Sequence, residues 1–480
     1  MLEQQLRKVF DYLQVRQRHV VCYFSMLAII NAYTIRLCLD FTLNRIMQEG
    51  KRSGIKTKSK ISKAKLALPT KRPRLKRQRA GQAAAGFKLA TPHISAANTA
   101  DLWSNQVPVL VNVFFYAGYM LTHVPGGRLS ERYGGKWILG AAILCSAVLT
   151  LLTPSIVRCG GPWALIVLRL CIGLAEGPAV PAVSVLLAQW VPEQERGLLC
   201  SSVLSGGEIG IMFVHLVSGL ALRDQDWALA FYVIGTGALL WFVGFVCVCY
   251  SNPADSPFIK SEEREYIKQR VSATLVTETP NDSVPWSSML QNAPVWAMIA
   301  ASMQHDWNQL ELTHELQELL QQLKSVDRTL WQDLSSSILI TAPHFCSWLA
   351  SLSSGVLSDY LIAEGILSRT QTRQLMSWLV FFSVSMYMVY SKEYWARSWS
   401  IMAFGAYYAG IKLLPLDMSP NYAGTLMGIS NGLGAVPGLV MPLLQQLEAQ
   451  YAVVGSIRAA LWLLCASYIS ADVQAYNQQA

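Results

Sequence analysis

Two short stretches of this sequence match each other and determine its architecture: PGGRLSERYGGK at residues 125–136 and SGVLSDY at residues 354–360. Each contains a glycine, any residue, a leucine, a serine and an acid, at the end of an apolar segment. A motif at equivalent places in two halves predicts a parallel duplication about an axis along the membrane normal. Its glycines let helices approach closely, and its acids can face a helix N-terminus or a basic side chain in a latch. The predicted latch residues are Gly127, Glu131, Arg132, Gly134, Lys136 and Asp359.

The composition around these motifs is that of a polytopic membrane protein. Of 480 residues, 52% are hydrophobic and only 14% are charged. Soluble domains carry about a quarter charged residues, so this chain has too few to cover a surface facing water. Disordered polymers and small disulfide scaffolds are excluded by the same numbers, and most of the ten cysteines lie in apolar runs without metal-ligand spacing.

Apolar runs of about 20 residues, the length that crosses a bilayer, occur twelve times. The predicted spans cover residues 19–41, 107–128, 136–156, 161–190, 197–222, 227–250, 294–316, 336–360, 375–390, 398–416, 424–447 and 451–470. Six precede and six follow a polar linker, residues 251–293, which contains a candidate surface helix. We therefore expect an all-α protein with two six-helix bundles, residues 19–250 and 294–470.

Lysine and arginine near the span ends predict the orientation. Fourteen of them flank the spans on one side and seven on the other, which places both termini, residues 1–18 and 471–480, in the cytoplasm. No cleavable signal is expected ahead of the first span. The segment 42–105 departs from this pattern, because thirteen basic residues and no acid lie between positions 51 and 79.

That basic segment accounts for the whole positive charge of the chain. Removing its thirteen charges from the net charge of +9 leaves the rest at −4. One interpretation is binding to acidic lipids or another polyanion, and the cluster also imitates a nuclear signal. The alternative is a solvated, disordered insertion, and no aromatic residues are interleaved for stacking on bases. We expect no nucleic-acid partner.

Longer motifs give a resemblance to a known family. They are GYMLTHVPGG at residues 118–127, RLCIGLAEG at 169–177, SNPAD at 251–255 and LDMSPNYAGTLMGISNG at 416–432. With these, the chain resembles the anion:cation symporter family of the major facilitator superfamily, and most closely its insect members described as inorganic phosphate cotransporters. The resemblance implies twelve helices around a central cavity, and transport of a small anion by alternating access.

Charged residues inside predicted spans are candidate site residues, because burying a charge in the membrane costs about 2.5–3.5 kcal/mol. Arg169 and Glu176 are two helical turns apart on one face, with Gly173 between them. The resemblance implies that Arg169 and Arg36 bind the anion and that Glu176 couples the ion, sodium or a proton. The alternatives are a structural ion pair for Arg169 and Glu176, and a snorkelling side chain for Arg36.

Other polar groups in the spans have two interpretations each. Glu208 is either a second ion-coupling site or a neutral, hydrogen-bonded acid, and Asp417 is expected to hold the start of the eleventh helix. His123 and His344 are expected to have packing roles. The seventh span carries many polar residues, and either lines and gates a wet vestibule or crosses poorly: Gln304, His305, Asp306, Asn308, Glu311, His314 and Glu315.

These observations predict a secondary transporter of inorganic phosphate or an organic carboxylate, in a plasma, endolysosomal or vesicle membrane. The vesicular glutamate branch has basic groups where this chain has Asn112, His305 and Pro415, which disfavours glutamate. We expect a monomer that is not an enzyme, needs no cofactor and binds no metal, since no phosphate loop, zinc motif or nucleophile elbow occurs. The alternatives are a degenerate, non-transporting receptor or scaffold and a polytopic enzyme.

Overall fold

The computed structural model describes residues 15–66, 106–223, 226–271, 284–323, 330–389 and 394–444, and these contain helices and no strand. The first half contains α1 Gln17–Leu66, α2 Val107–Tyr133, α3 Gly135–Glu176, α4 Ala179–Trp190, α5 Arg196–Leu204, α6 Gly206–Arg223 and α7 Trp227–Val248. After it come α8 Ser261–Val271, α9 Trp286–Gln291, α10 Ala293–Leu323, α11 Leu330–Ala363 and α12 Arg369–Val389. The last are α13 Tyr394–Ala403, α14 Gly405–Ala409, α15 Leu414–Met418, α16 Ala423–Gly434 and α17 Val436–Leu444.

Six helical stretches among the described residues are long and apolar enough to cross a membrane: Gln17–Gly50, Val107–Tyr133, Gly135–Trp190, Glu193–Val217, Trp227–Val248 and Pro420–Leu444. The 56-residue stretch Gly135–Trp190 has the length of two crossings. It reverses at Gly161, whose φ of +65° and ψ of −154° are outside the helical region, and Pro162 follows. Because glycine adopts positive φ without steric cost, the turn forms at the predicted boundary between the third and fourth spans.

Several crossings are broken in the middle, which frees polar groups of the backbone at the level of the membrane. The fourth crossing breaks between α3 and α4, and the fifth between α5 and α6. In the second half, α13 and α14 are followed by the 3-10 turn Ile411–Leu413, and α16 is followed by α17. Such irregular backbone in a membrane protein is expected only where it is buried in protein or lines a cavity.

The two halves pack through equivalent helices. Helix α2, the second crossing of the first half, packs against α16, which begins the fifth crossing of the second half. Helix α11, the second crossing of the second half, packs against α5, which begins the fifth crossing of the first half. This reciprocal pairing is what a duplication about an axis along the membrane normal predicts.

The structure differs from the sequence-based boundaries at the first helix. Helix α1 continues to Leu66, so the beginning of the predicted disordered segment 42–105 is helical, while residues 67–105 lie outside the described residues. Lysines without acids suit a solvated helix as well as a coil, which is why composition alone misplaced this boundary. The predicted twelfth span, 451–470, and the tail also lie outside the described residues. The linker helix forms as α8.

Candidate functional site

A cavity of about 310 Å³ lies between the two halves. It extends from Arg36 toward the end of the bundle where α2 begins, which we call the cavity side; the opposite end, where α1 begins, is the N-side. Helices α1, α2 and α6 line it from the first half, and α10 and α17 from the second. Its polar lining residues include Tyr33, Arg36, Asp40, Asn112, Tyr116 and Asp306. This volume is at the lower end of that of small-molecule sites.

Arg36 is the guanidinium group on the wall of this cavity. It donates to Oε1 of Glu176 twice, from Nε at 3.1 Å and from Nη2 at 2.7 Å. Glu176 comes from the end of α3 and is fully buried. One carboxylate oxygen is thus engaged by the arginine, and the other has no hydrogen-bond partner among the residues that the structure describes.

Aromatic rings hold the Arg36 guanidinium in place. Its Cζ atom lies 4.3 Å from the ring centre of Tyr119, 4.9 Å from that of Tyr33 and 5.4 Å from that of Phe115. A cation over ring faces gains about 0.5–2 kcal/mol, and more when water is excluded. This aromatic cage therefore stabilises a charged side chain that reaches into the cavity.

Arg169 has a different position from the predicted one. It is 2% exposed, is not among the lining residues, and donates from Nη1 to the backbone carbonyl of Arg36 at 3.1 Å. Its Nη2 atom lies 3.7 Å from the carboxylate of Asp40. In this conformation Arg169 supports the turn of α1 that carries Arg36, and its role as a direct anion ligand stays a prediction.

Gly173 brings α3 into direct contact with α2 behind the site. A Cβ atom at Gly173 would overlap the backbone carbonyl of Phe115 and lie 3.0 Å from the amide nitrogen of Tyr119. The small residue therefore permits direct contact between the two helices. The same close approach sets the position of the aromatic cage.

We expect Gly173→Ala to destabilise the protein by about 1–3 kcal/mol, because the added methyl group must push α3 away from α2. Thermal unfolding in detergent measures the effect. Gly237→Ala on α7 is the matched control, since a Cβ atom there meets nothing within 4 Å. Equal unfolding temperatures for the two variants would show that the helix contact tolerates a methyl group.

Glu208 lies between the halves in a buried polar group with His344 and Tyr408. Its Oε2 is 2.7 Å from Nδ1 of His344 on α11, and its Oε1 accepts from the Tyr408 hydroxyl on α14 at 3.2 Å. The Glu208 and His344 side chains are both 1% exposed. The acid thus joins α6 to two helices of the second half, and His344 has a polar partner rather than only a packing role.

The two motif acids occupy equivalent positions on the N-side. Glu131 on α2 accepts from the backbone N–H and hydroxyl of Thr425, at 2.6 and 2.8 Å, in the first turn of α16. Asp359 on α11 accepts from the backbone N–H groups of Gly197 and Leu198, at 2.7 and 2.8 Å, in the first turn of α5. Each acid therefore binds the positive end of a helix from the other half.

Glycines bring the same helix pairs together. A Cβ atom at Gly127 would overlap the carbonyl of Gly424, and one at Gly355 would lie 2.6 Å from the carbonyl of Gly197. Backbones in such close contact leave no room for water between these two helix pairs. The structure thus closes the N-side while the cavity extends toward the other end.

Asp417 contacts two arginines from different helices. Its Oδ2 accepts from Nε of Arg373 on α12 at 2.8 Å, and its Oδ1 lies 3.5 Å from Nη1 of Arg196 on α5. The first turn of α16 is bound by Glu131. Asp417 joins the halves on the N-side, and its expected role in holding the start of the eleventh helix stays a prediction.

The other motif residues shape the N-side turn after α2. Gly134 ends α2 with a φ of +90°, a conformation that favours glycine. The Lys136 amide donates to the Ser251 hydroxyl at 3.2 Å, and its ammonium lies 4.2 Å from the ring centre of Tyr250. Arg132 is exposed and stacks on Tyr133.

The polar seventh span is one continuous helix, α10, that contributes to the cavity. Asp306 lines the cavity, while the His305 ring stacks on Tyr407 with ring centres 3.9 Å apart. Asn308 is buried and accepts from Gln304 at 3.2 Å. Asp306 thus favours the vestibule interpretation; the side chains of His314 and Glu315 lie outside the described residues.

Sequence reasoning missed the groups that surround the predicted charges. The aromatic cage of Arg36 and the His344 partner of Glu208 come from helices distant in sequence. Tyr119 lies in the family motif at 118–127, which was the available signal. Lys412 lies inside the predicted tenth span. A charge inside a membrane span is a candidate site residue, but Lys412 was not selected as one.

The chain is similar to known transporters. It is 32% identical to human sialin over 344 residues, covering 70% of this chain and 67% of sialin. It is 28% identical over 386 residues to a Drosophila melanogaster protein named "Putative inorganic phosphate cotransporter", covering 76% of this chain and 72% of that protein. These relatives confirm the resemblance found in the motifs.

The fold is also similar to that of a solved structure. The proton:xylose symporter XylE, bound to 6-bromo-6-deoxy-D-glucose, matches with a TM-score of 0.59 at 13% identity, covering 94% of this chain and 95% of that one. This likeness confirms the predicted all-α fold. Residues 83–442 match the family described as Major Facilitator Superfamily. This chain therefore belongs to the major facilitator superfamily and, within it, to the group of transporters that contains sialin.

Proposed function

We propose that this protein is a secondary transporter that moves a small anion, inorganic phosphate or an organic carboxylate, together with a proton or sodium ion. The observation that supports this most is the Arg36 guanidinium on the cavity wall, paired with the buried acid Glu176. An anion that leaves water needs fixed positive charge, and a guanidinium offers paired hydrogen bonds to phosphate or carboxylate oxygens. Arg169 serves as its support and as a second anion ligand when the site rearranges.

Competition for Arg36 provides the coupling. Glu176 and the anion need the same guanidinium, and a proton on the free Oε2 of Glu176 would neutralise that acid and release Arg36 to the anion. The buried, unpartnered oxygen suits a proton. Glu208, in its group with His344 and Tyr408, is proposed as a second coupling site, because it lies where the halves must separate.

Alternating access follows from the asymmetry of the two ends. The cavity extends to one side while Glu131, Asp359 and Asp417 join the halves on the N-side. Rocking of the halves would break these contacts and close the cavity, as in other carriers built from two repeats. With both termini in the cytoplasm, this conformation would face the outside of a cell or the lumen of a vesicle.

The lining residues favour phosphate or a simple carboxylate over glutamate. Asn112 lines the cavity and offers an amide in place of a charge. His305 is buried against aromatic rings and Pro415 carries no charge, so neither supplies an additional cation.

We propose a monomeric carrier in a plasma, endolysosomal or vesicle membrane.

Uptake into proteoliposomes tests this function. Purified protein is reconstituted, and uptake of labelled phosphate, glutamate, sialic acid and urate is measured with imposed sodium or pH gradients. We expect uptake of phosphate or a carboxylate, accelerated by one of the gradients. Uptake that ignores both gradients would leave facilitated transport only, and absence of uptake for every anion would favour a receptor or scaffold.

We expect Glu176→Gln to abolish the coupling while keeping exchange of anion across the membrane. Glutamine keeps an oxygen that can accept a hydrogen bond from Arg36 but binds no proton. The ratio of uptake with the gradient to uptake without it should therefore be about 1. Gradient-driven uptake and counterflow are measured on the same liposomes. Glu262→Gln, on the exposed face of α8, is the control. A full response to the gradient in Glu176→Gln would exclude Glu176 as the coupling group.

A further inference from the structure

Lys412 is a cation of the second half without an acidic partner. It lies in the 3-10 turn Ile411–Leu413, directly after a backbone break at Gly410, whose φ and ψ are −101° and −102°. Its ammonium donates to Oδ1 of Asn431 and lies 5.7 Å from the ring centre of Tyr407. Within the described part of the chain, no ion pair joins Lys412 to a carboxylate.

The position is costly for a structural lysine. Lys412 is only partly buried, but a charge at the level of the membrane marks a functional site by default. Lys412 is therefore a candidate site residue, like the arginines of the first half.

A polar layer connects Lys412 to the anion site. Nδ2 of Asn431 lies 3.3 Å from Nε2 of His123 and 3.5 Å from the Tyr119 hydroxyl. The Tyr119 ring in turn supports the Arg36 guanidinium. Asn431 lies one turn of α16 before Ala435, which lines the cavity. Lys412 therefore lies one layer below the cavity, on the path toward the N-side contacts.

We propose that Lys412 is a further cationic ligand for the transported anion, supplied by the second half, and that it selects anions carrying two negative charges. The inference rests on the proposed transport function. In the present conformation the ammonium is held by Asn431, an uncharged acceptor that a phosphate or carboxylate oxygen can replace. An anion passing the layer of Asn431, His123 and Tyr119 would be bound by Arg36 from one half and Lys412 from the other.

The charge of the anion decides how much it gains from the second cation. The charge of Arg169 is opposed by the carboxylate of Asp40. A divalent anion held at Arg36 therefore keeps one charge uncompensated in a site away from water, whereas a monovalent anion is already neutralised. Lys412 should therefore matter for phosphate and dicarboxylates and matter little for monocarboxylates. This dependence on anion charge distinguishes a ligand from a lysine that only ties the 3-10 turn to α16.

Lys412→Gln separates these two roles, because the glutamine amide can still donate to Asn431 but carries no charge. Lys412→Arg keeps the charge, and Lys260→Gln changes an exposed lysine as the matched control. Each variant is reconstituted after size-exclusion chromatography confirms an intact monodisperse protein. Uptake is measured at about pH 8 for phosphate and succinate, which then carry mostly two charges, and for lactate and sialic acid, which carry one.

We expect Lys412→Gln to lower uptake of divalent anions at low concentration about tenfold or more, while uptake of monovalent anions stays near the wild-type rate. Lys412→Arg should retain most of the divalent uptake. If the wild type takes up anions but Lys412→Gln lowers uptake of both charge classes equally, or of neither, this inference is overturned and the proposed function is not. Wild-type liposomes that take up no anion would instead overturn the proposed function, and this inference with it.

Discussion

Replacing Arg36 with alanine is expected to reduce anion uptake about 100-fold or more. The guanidinium lines the cavity and is the donor of two hydrogen bonds to a charged group, each worth about 1.5–3 kcal/mol. Its loss also leaves Glu176 buried without a partner, which by itself costs about 3–5 kcal/mol. Both effects act against binding an anion at this site.

The measurement must separate lost binding from lost folding. The double variant Arg36→Gln with Glu176→Gln leaves no uncompensated buried charge, so we expect it to fold while uptake stays absent. Arg158→Ala changes an exposed arginine that stacks on Trp227 and is the matched control. Uptake by the folded double variant at the wild-type rate would show that the anion does not need the Arg36 guanidinium.

The sequence predicted the fold well because the signals for it are local. Apolar length defines a membrane crossing, and the glycine-and-acid motif marks where the second helix of each half ends. The motif left two kinds of partner open for each acid, a helix N-terminus or a basic side chain, and in the structure each acid binds a helix N-terminus. It did not predict which helix, since the partner of Glu131 is Thr425, 294 positions away, and the pairing depends on how the two halves dock.

The site was harder to predict because spacing along a helix does not determine pairing between helices. Arg169 and Glu176 share a face of one helix, which suggested that they act or pair together. In the structure Glu176 pairs with Arg36 from α1, and Arg169 binds the backbone at Arg36 and approaches Asp40. Which of these partners pair depends on the tertiary structure. The resemblance to a family therefore said more about the site residues than the spacing of charges along the helix did.

The N-side contacts should control which end of the protein is open. Glu131 and Asp359 each accept two hydrogen bonds from the first turn of a helix in the other half. Bonds to a charged group are worth about 1.5–3 kcal/mol each, so replacing either acid with alanine should shift the equilibrium by about 3 kcal/mol. That shift is on the order of 100-fold in population toward the conformation open at the N-side.

Because the two acids occupy equivalent positions on separate helix pairs, their effects should be similar in size, and the double variant should open the N-side almost completely. Distances between spin-labelled side chains at positions 133 and 366, exposed on the N-side of the two halves, report the opening by electron resonance. Glu364→Ala removes an exposed acid just after α11 and is the matched control. Unchanged distance distributions in the double variant would show that glycine packing and the contacts of Asp417 close the N-side without the motif acids. The two acids would then only stabilise the helices whose first turns they bind.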